Sequence, residues 1–238
     1  MQNLNIIECD QNTPTWYKAR LSMFTASDAS DLIFEQGVYK TGDNKGQPKP
    51  VPKSFLNIVK EKRSESKHGI TQYEIDTRVG RCLYNDFVPS IGLNGKYGQM
   101  MQIDALEHYS KKYNEEVYTV GFVISNKYPD HVGCSPDALH LHKNSGVETK
   151  CPVTMAIHDD HISLKTPLDL KIFNEKYYWQ VLLSLFVCEA ESWDFVSYFP
   201  FIEPENVMSC LVIKRDEVLS DLELLDNQIK LAIELKTK

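Results

Sequence analysis

No two cysteines in this 238-residue chain are spaced as Cys-x-x-Cys, which argues against a zinc ribbon. The six cysteines (9, 82, 134, 151, 188 and 210) also offer no obvious ligand set for an iron–sulfur cluster, and read as reduced, partly buried thiols. No apolar run approaches the roughly 20 residues of a bilayer-spanning helix. The longest, Val181 to Cys188, is a buried element instead. The first residues, MQNLNIIECDQ, lack the basic start and apolar run of a secretory signal, so a cytoplasmic protein with no membrane contact is expected. Internal repeats and low-complexity tracts are absent. So is a general positive charge: the net charge of −7 excludes a surface coated in cations for nucleic acid.

A local basic track is nevertheless present. Between Lys40 and His68 the chain carries eight Lys or Arg against three acids, leaving −12 for the remainder. Such polarity can steer a polyanion to one face; a solvated basic loop and helix is the plainer reading. Tyr39 to Lys53 (YKTGDNKGQPKPVPK) has three prolines in five residues, which forbid a helix and predict a long loop. A second, Gly-rich loop is expected over Ile91 to Gly98. Apolar spacing predicts helices after Thr25, after Ser54, from Gln99 to Tyr113, from Tyr177 to Val187 and from Val218 to Ile233. Strands are expected at Val117–Ile124, Trp193–Phe199 and Val207–Ile213. With 42% apolar residues there is material for a real core, and the order of elements predicts an α/β sandwich with a mixed sheet.

The chemistry concentrates in GCSPDALHLHKNSGVETKCP, residues 133–152. Across a turn at Lys143–Gly146, strand alternation puts Glu148 and Lys150 on one face and Val147, Thr149 and Cys151 on the other. Asp137, near the start of the preceding strand, comes beside Glu148. Two carboxylates and a backbone carbonyl, that of Thr149, suit a hard cation that keeps several waters, namely magnesium. Such a cation supplies Lewis-acid chemistry at a phosphodiester, and Lys150 offsets charge growing on phosphoryl oxygens. A surface hairpin with ordinary charges is the alternative, and an Asp followed by Glu-x-Lys does not by itself choose.

The surrounding strings choose more sharply. Gly-Cys-Ser-Pro-Asp-Ala-Leu, Glu-Thr-Lys-Cys-Pro and the downstream Tyr-Tyr-Trp-Gln resemble the PD-(D/E)xK nucleases, and more narrowly the phage exonucleases of the lambda exonuclease (YqaJ viral recombinase) family. Trp16–Leu21 with Thr25–Ser27, Asp194–Pro200 and Val212–Glu217 extend the likeness over roughly residues 16 to 230, loosely in 36–97. The resemblance implies one domain over 1–238 with a restriction-endonuclease-like core, a mixed β-sheet flanked by helices. It implies a magnesium-dependent 5′→3′ exonuclease on double-stranded DNA ends, with one or two ions and manganese as substitute. Its implied partners are a single-strand annealing protein and two further copies in a homotrimer, in a phage protein acting in a bacterial host. Asp137, Glu148 and Lys150 map to the catalytic acids and lysine, and Gln180 to the glutamine of the following helix. Arg20, Ser27 and Ser135 map to the pocket for the 5′-phosphate. Ser27 at a helix start and the forked donor of Arg20 suit that anion.

Two positions depart from the family pattern. A glutamate expected at the metal site is Gln102 here, whose amide oxygen can ligate without charge, and Asp104 or Glu107 is out of register. An arginine expected after Lys150 is Ala156, which shifts phosphate binding toward Lys143 or Lys165. His140 with His142, and His158 with His161, have zinc-compatible spacing, although such pairs are more often hydrogen-bonding residues. Phe24, Phe34 and Tyr39 read as core packing before a strand-parting wedge. The resemblance leaves open a different PD-(D/E)xK nuclease, endonucleolytic or single-strand-specific, and a non-catalytic DNA-end binder.

Overall fold

The sheet that carries the site has five strands in the order β3 (Val117–Tyr118), β6 (Ala138–His140), β7 (Ser145–Lys150), β8 (Ser192–Tyr198), β9 (Met208–Lys214). The structure, a computed structural model, describes residues 3–35, 37–69, 71, 74–78 and 93–238, with backbone alone over 93–96. Neighbours in this sheet are antiparallel except β7 and β8, which run parallel. A parallel pair needs a long crossover, supplied by α5 (Met155–Ser163), α6 (Pro167–Phe173) and α7 (Glu175–Val187). Each crossover helix starts at a side-chain cap: Thr154 accepts from Ile157 N, Thr166 from Asp169 N and Asn174 from Tyr177 N.

Both faces of the sheet are covered. On one face α4 (Leu93–Tyr113) packs Ala105, Leu106 and Tyr109 against Ala138, Val147 and Val196. On the other, α7 and α8 (Leu219–Thr237) enclose Trp193, Phe195 and Ile213. Buried side chains such as Leu182, Phe195 and Ile213 contribute about 1.5–3 kcal/mol each. The expected stripe on the last helix holds: Val218, Leu222, Leu225 and Ile229 are buried, and Ile233 is half-buried against the same core. Phe24 is wholly buried, and Phe34 packs edge-on to Phe55.

The α/β fold with a mixed sheet flanked by helices is as expected, and four details differ. There is a second sheet besides it, in which β1 (Asn5–Ile7), β4 (Phe122–Ile124), β5 (Val132–Cys134) and β2 (Phe24–Thr25) pair in that order. The single strand expected over Val117–Ile124 is divided between the two: β3 belongs to the first sheet and β4 to the second. The hairpin turn lies earlier than expected, at 141–144, and Gly146 is a strand residue. A Cβ there would stand 2.4 Å from the Trp193 ring, so close ring packing demands the glycine. The backbone is helical from Leu93, where a Gly-rich loop was expected; residues 91 and 92 of that loop lie outside the described residues. The loop ahead of α3 (Lys53–His68) is as expected, with a single bridge between Val38 and Pro48. Among the described residues, no helix is long and apolar enough to cross a membrane.

Candidate active site

β6 and β7 pair with Ala138 opposite Val147, a register that sets Asp137 opposite Glu148 at the open end of the hairpin. Alternation then divides the site between faces. Glu148 and Lys150 project to the α7 side, and Thr149 to the α4 side. On the α7 side Glu148 Oε1 accepts from Lys150 Nζ at 2.5 Å and from Gln180 Nε2 at 2.7 Å. Gln180 Oε1 in turn accepts from Lys150 Nζ at 3.3 Å, and the ammonium lies 4.6 Å from the centroid of the Tyr177 ring. On the α4 side Asp137 Oδ1 accepts from Gln102 Nε2 at 2.8 Å, and Oδ2 accepts from the Thr149 amide at 2.6 Å and its hydroxyl at 2.7 Å. Gln11 Nε2 ties the loop before Asp137 by donating to Pro136 O and Val120 O. Gln102, Asp137, Glu148, Thr149, Lys150, Tyr177 and Gln180 line a cleft of about 510 Å³.

Burial raises the pKa of both carboxyls. Glu148 is pushed up to about 7 because desolvation and the nearby Asp137 outweigh Lys150. Asp137 is raised by burial against the pull of Lys150 and the Thr149 donors. Burial disfavours the Lys150 ammonium, but Glu148 and Asp137 outweigh it and its pKa rises. The two carboxyls with raised pKa values, with the amide oxygens of Gln102 and Gln180 and the Thr149 carbonyl nearby, form a hard-oxygen donor set that fits magnesium or manganese. Among the described residues, no three His, Cys, Asp or Glu converge, consistent with an amide at position 102 in place of a third acid. Asp104 and Glu107 are exposed, and Glu107 pairs with Lys111 instead.

A second cluster adjoins the first. Arg20 NH1 donates to Ser135 Oγ at 3.1 Å, and NH2 to Thr25 Oγ1 at 3.3 Å, itself 3.0 Å from Ser27 Oγ. The guanidinium stacks 4.0 Å from the Trp16 ring centroid, and the Trp16 indole N–H donates to Ser135 Oγ at 2.8 Å. Burial lowers the Arg20 pKa, with Asp28 the largest opposing influence. The parallel pairing of β2 with β5, Thr25 beside Gly133, builds this cluster from segments more than 100 residues apart.

The remaining expectations separate cleanly. Lys143 is ion-paired with Glu115 at the turn end of the hairpin, away from the site. Lys165 donates to Ile162 O, and Ala156 is exposed on α5. Neither lysine takes the place of an arginine at 156. His140 is buried against Tyr109 while His142 is exposed beside Glu116. His158 and His161 both bond Ser197 Oγ, at 2.8 and 2.7 Å. Sequence reasoning missed Tyr177, Thr25, Trp16 and the Thr149 hydroxyl as partners. Trp16 and Thr25 stood inside the family-like N-terminal strings, but nothing in spacing marked them as neighbours of Ser135.

Residues 15–191, about three quarters of the chain, match the family model described as the YqaJ-like viral recombinase domain. The chain belongs to that family. Solved structures agree on the fold. An alkaline exonuclease from Laribacter hongkongensis superposes with TM-score 0.66 at 20% identity, covering 94% of this chain and 93% of that one. A phage-related exonuclease from Haemophilus somnus 129PT superposes with TM-score 0.59 at 12% identity, covering 90% and 93%. No curated protein matches. For this YqaJ-like chain the α/β architecture is therefore that of the alkaline exonucleases.

Proposed function

We propose that this YqaJ-like protein is a magnesium-dependent exonuclease that degrades one strand of duplex DNA 5′→3′ from an end, releasing 5′-mononucleotides. The reading includes manganese as a substitute ion, a homotrimeric assembly and transfer of the exposed strand to a single-strand annealing protein. The observation that carries it is the convergence of Asp137, Glu148, Lys150 and Gln180 in one cleft, with the Arg20 cluster adjoining. Held by Asp137 and Glu148, with Thr149 O and Gln102 able to complete the oxygen set, a divalent cation supplies Lewis-acid chemistry at the scissile phosphate.

The chain's own groups do the rest. Lys150 carries positive charge toward the phosphoryl oxygens, and Gln180 holds it against Glu148. Arg20, with the Ser135, Thr25 and Ser27 hydroxyls, grips a terminal phosphate. Ser135 and Asp137 are two residues apart, at most about 7 Å along extended backbone. That matches the step between adjacent phosphates, so a grip on the terminal phosphate sets the next one before the carboxylates. Water attacks that phosphorus, the P–O3′ bond breaks, and the released nucleotide keeps its 5′-phosphate and gains a 3′-hydroxyl. The new end again bears a 5′-phosphate for Arg20. Exposed Lys40, Lys45, Lys49, Lys53, Lys60 and Lys67 give the polyanion a basic approach.

Digestion of a linear duplex with a 5′-phosphate tests this against its 5′-hydroxyl twin, each in magnesium or EDTA. Magnesium-dependent mononucleotide release, faster from the phosphorylated end, is the expected result. Nicking of a covalently closed circle would replace the exonuclease with an endonuclease. The neutral Gln102 favours one other reading, a DNA-end binder without hydrolysis, and tight end binding with no product under any divalent ion would establish it.

A further inference from the structure

One buried histidine in the cleft wall has a use that the carboxylates and Lys150 do not cover. His161, on α5, is only 4% exposed and lines the same cavity as Glu148, Lys150 and Tyr177. Its ring stands edge-on to Phe173 at 5.2 Å and to Phe195 at 5.5 Å, which fixes its plane. Its Nδ1 faces Ser197 Oγ at 2.7 Å, and its buried Nε2 has no partner among the described residues. A buried ring nitrogen without a partner is costly, so one is expected to be supplied in use.

The neighbours determine which kind of partner. His158 Nε2 lies 2.8 Å from Asn206 O, and a carbonyl can only accept, so that nitrogen carries the proton. For a His158 that carries that one proton, Nδ1 is a lone pair and takes the Ser197 hydroxyl proton at 2.8 Å. Ser197 Oγ is left to accept from His161 Nδ1–H, and His161 Nε2 is left as a bare lone pair. The chain of bonds from Asn206 O to the cleft thus has one proton order. Burial first, with the charge of Lys150 also acting, lowers the His161 pKa to about 4, which keeps this ring uncharged at neutral pH.

We infer that His161 is a positioning residue whose Nε2 lone pair accepts a hydrogen bond from the attacking water, holding it toward the scissile phosphate, with Ser197 and His158 locking the tautomer. The inference rests on the hydrolytic reading of the cleft. No proton transfer is required of the ring, only acceptance.

Two measurements test it, and they fail separately. In ¹⁵N-histidine-labelled protein at neutral pH, imidazole resonances should show His161 protonated at Nδ1 and bare at Nε2, with His158 the reverse. A protonated Nε2 on His161 overturns the inference whatever the enzyme does. In kinetics on the phosphorylated duplex, His161→Phe keeps the aromatic packing and should lower kcat about tenfold, with KM for ends and Tm unchanged. His161→Gln, which restores an acceptor, should recover part of the rate. Ser197→Ala should also slow turnover, and the double variant should be no slower than His161→Phe alone. Full kcat in His161→Phe, a change confined to KM, or a change confined to preference among terminal bases overturns the inference while leaving the nuclease reading intact. A wild-type protein with no hydrolysis is instead a failure of the nuclease reading, and takes the positioning role with it.

Discussion

The acidic cleft and the adjoining Arg20 cluster carry opposite electrostatic deficits. At one end, Asp137 and Glu148 are buried together with one ammonium between them, and both pKa values rise. At the other, Arg20 is buried among hydroxyls and a tryptophan ring, and its pKa falls. Burial penalises a charge of either sign, so each end is incomplete in the same physical sense. In the proposed function a divalent cation answers the first and a phosphate the second. On that proposal a nucleic-acid end with its counterion satisfies both at once, and a ligand lacking either charge satisfies only half. Because β2 pairs with β5 immediately before the Asp137 loop, the halves are held at a fixed separation by backbone hydrogen bonds.

The largest expected effect is at the acidic end. Lys150→Ala or Asp137→Ala should reduce nucleotide release by about 10³-fold or more, while fluorescence anisotropy still detects binding to duplex ends. Comparable activity in both variants would break the contrast between a reacting half and a gripping half. Arg20→Ala comes next. The rate on the 5′-phosphorylated end should fall about tenfold, toward that of the 5′-hydroxyl end, whose rate should barely change. A uniform loss on both ends would show that Arg20 is not reading the terminal phosphate.

Gln102→Glu should have a smaller effect. A third carboxylate should tighten manganese or magnesium binding several-fold by calorimetry, and lower Tm in EDTA by adding repulsion at Asp137. Unchanged metal affinity would place the ion away from Gln102. The smallest effect concerns pH. Glu148 holds its proton more tightly in the folded chain, up to about 7, than in the unfolded chain near 4.5. The folded state therefore binds more protons between those values, and in EDTA its contribution to stability falls as pH rises through that window. A few degrees of Tm should be lost between pH 5 and 7, recovered with magnesium and absent in Glu148→Gln. A rising Tm attributable to Glu148 would contradict the raised carboxyl.

Legibility differed by element for physical reasons. α7, the last helix and β8 were readable because each is long enough for its apolar period to repeat. β1, β2, β4 and β5 have two or three residues each, too few for alternation to register, so the second sheet went unseen and one strand was expected where β3 and β4 belong to different sheets. The hairpin turn was misplaced because Gly146 looks like a turn residue in sequence, whereas the reason for it, the Trp193 ring, is 47 positions away. Within the site, Glu148 and Lys150 were legible from alternation alone. Gln102 and Gln180 were legible only through family likeness. Tyr177 and His161 depended on how three crossover helices fold back over the sheet.

The sequence by itself determined the local chemistry: an acid and an amine two residues apart on one strand, helices with capped starts, a basic stretch in an acidic chain and no segment apolar enough to span a bilayer. These follow from nearest-neighbour geometry and composition, which need no knowledge of distant contacts. Only the tertiary structure decided that Thr25 and Ser135 share Arg20, that Gln180 clasps Glu148 and Lys150, and that His158 and Ser197 dictate the proton order on His161. Apart from Arg20 with Thr25, those hydrogen bonds join residues 30 to more than 100 positions apart. Hydrogen-bond roles and buried-charge penalties depend on which groups the fold places within about 3 Å of one another, and spacing along the chain does not encode that.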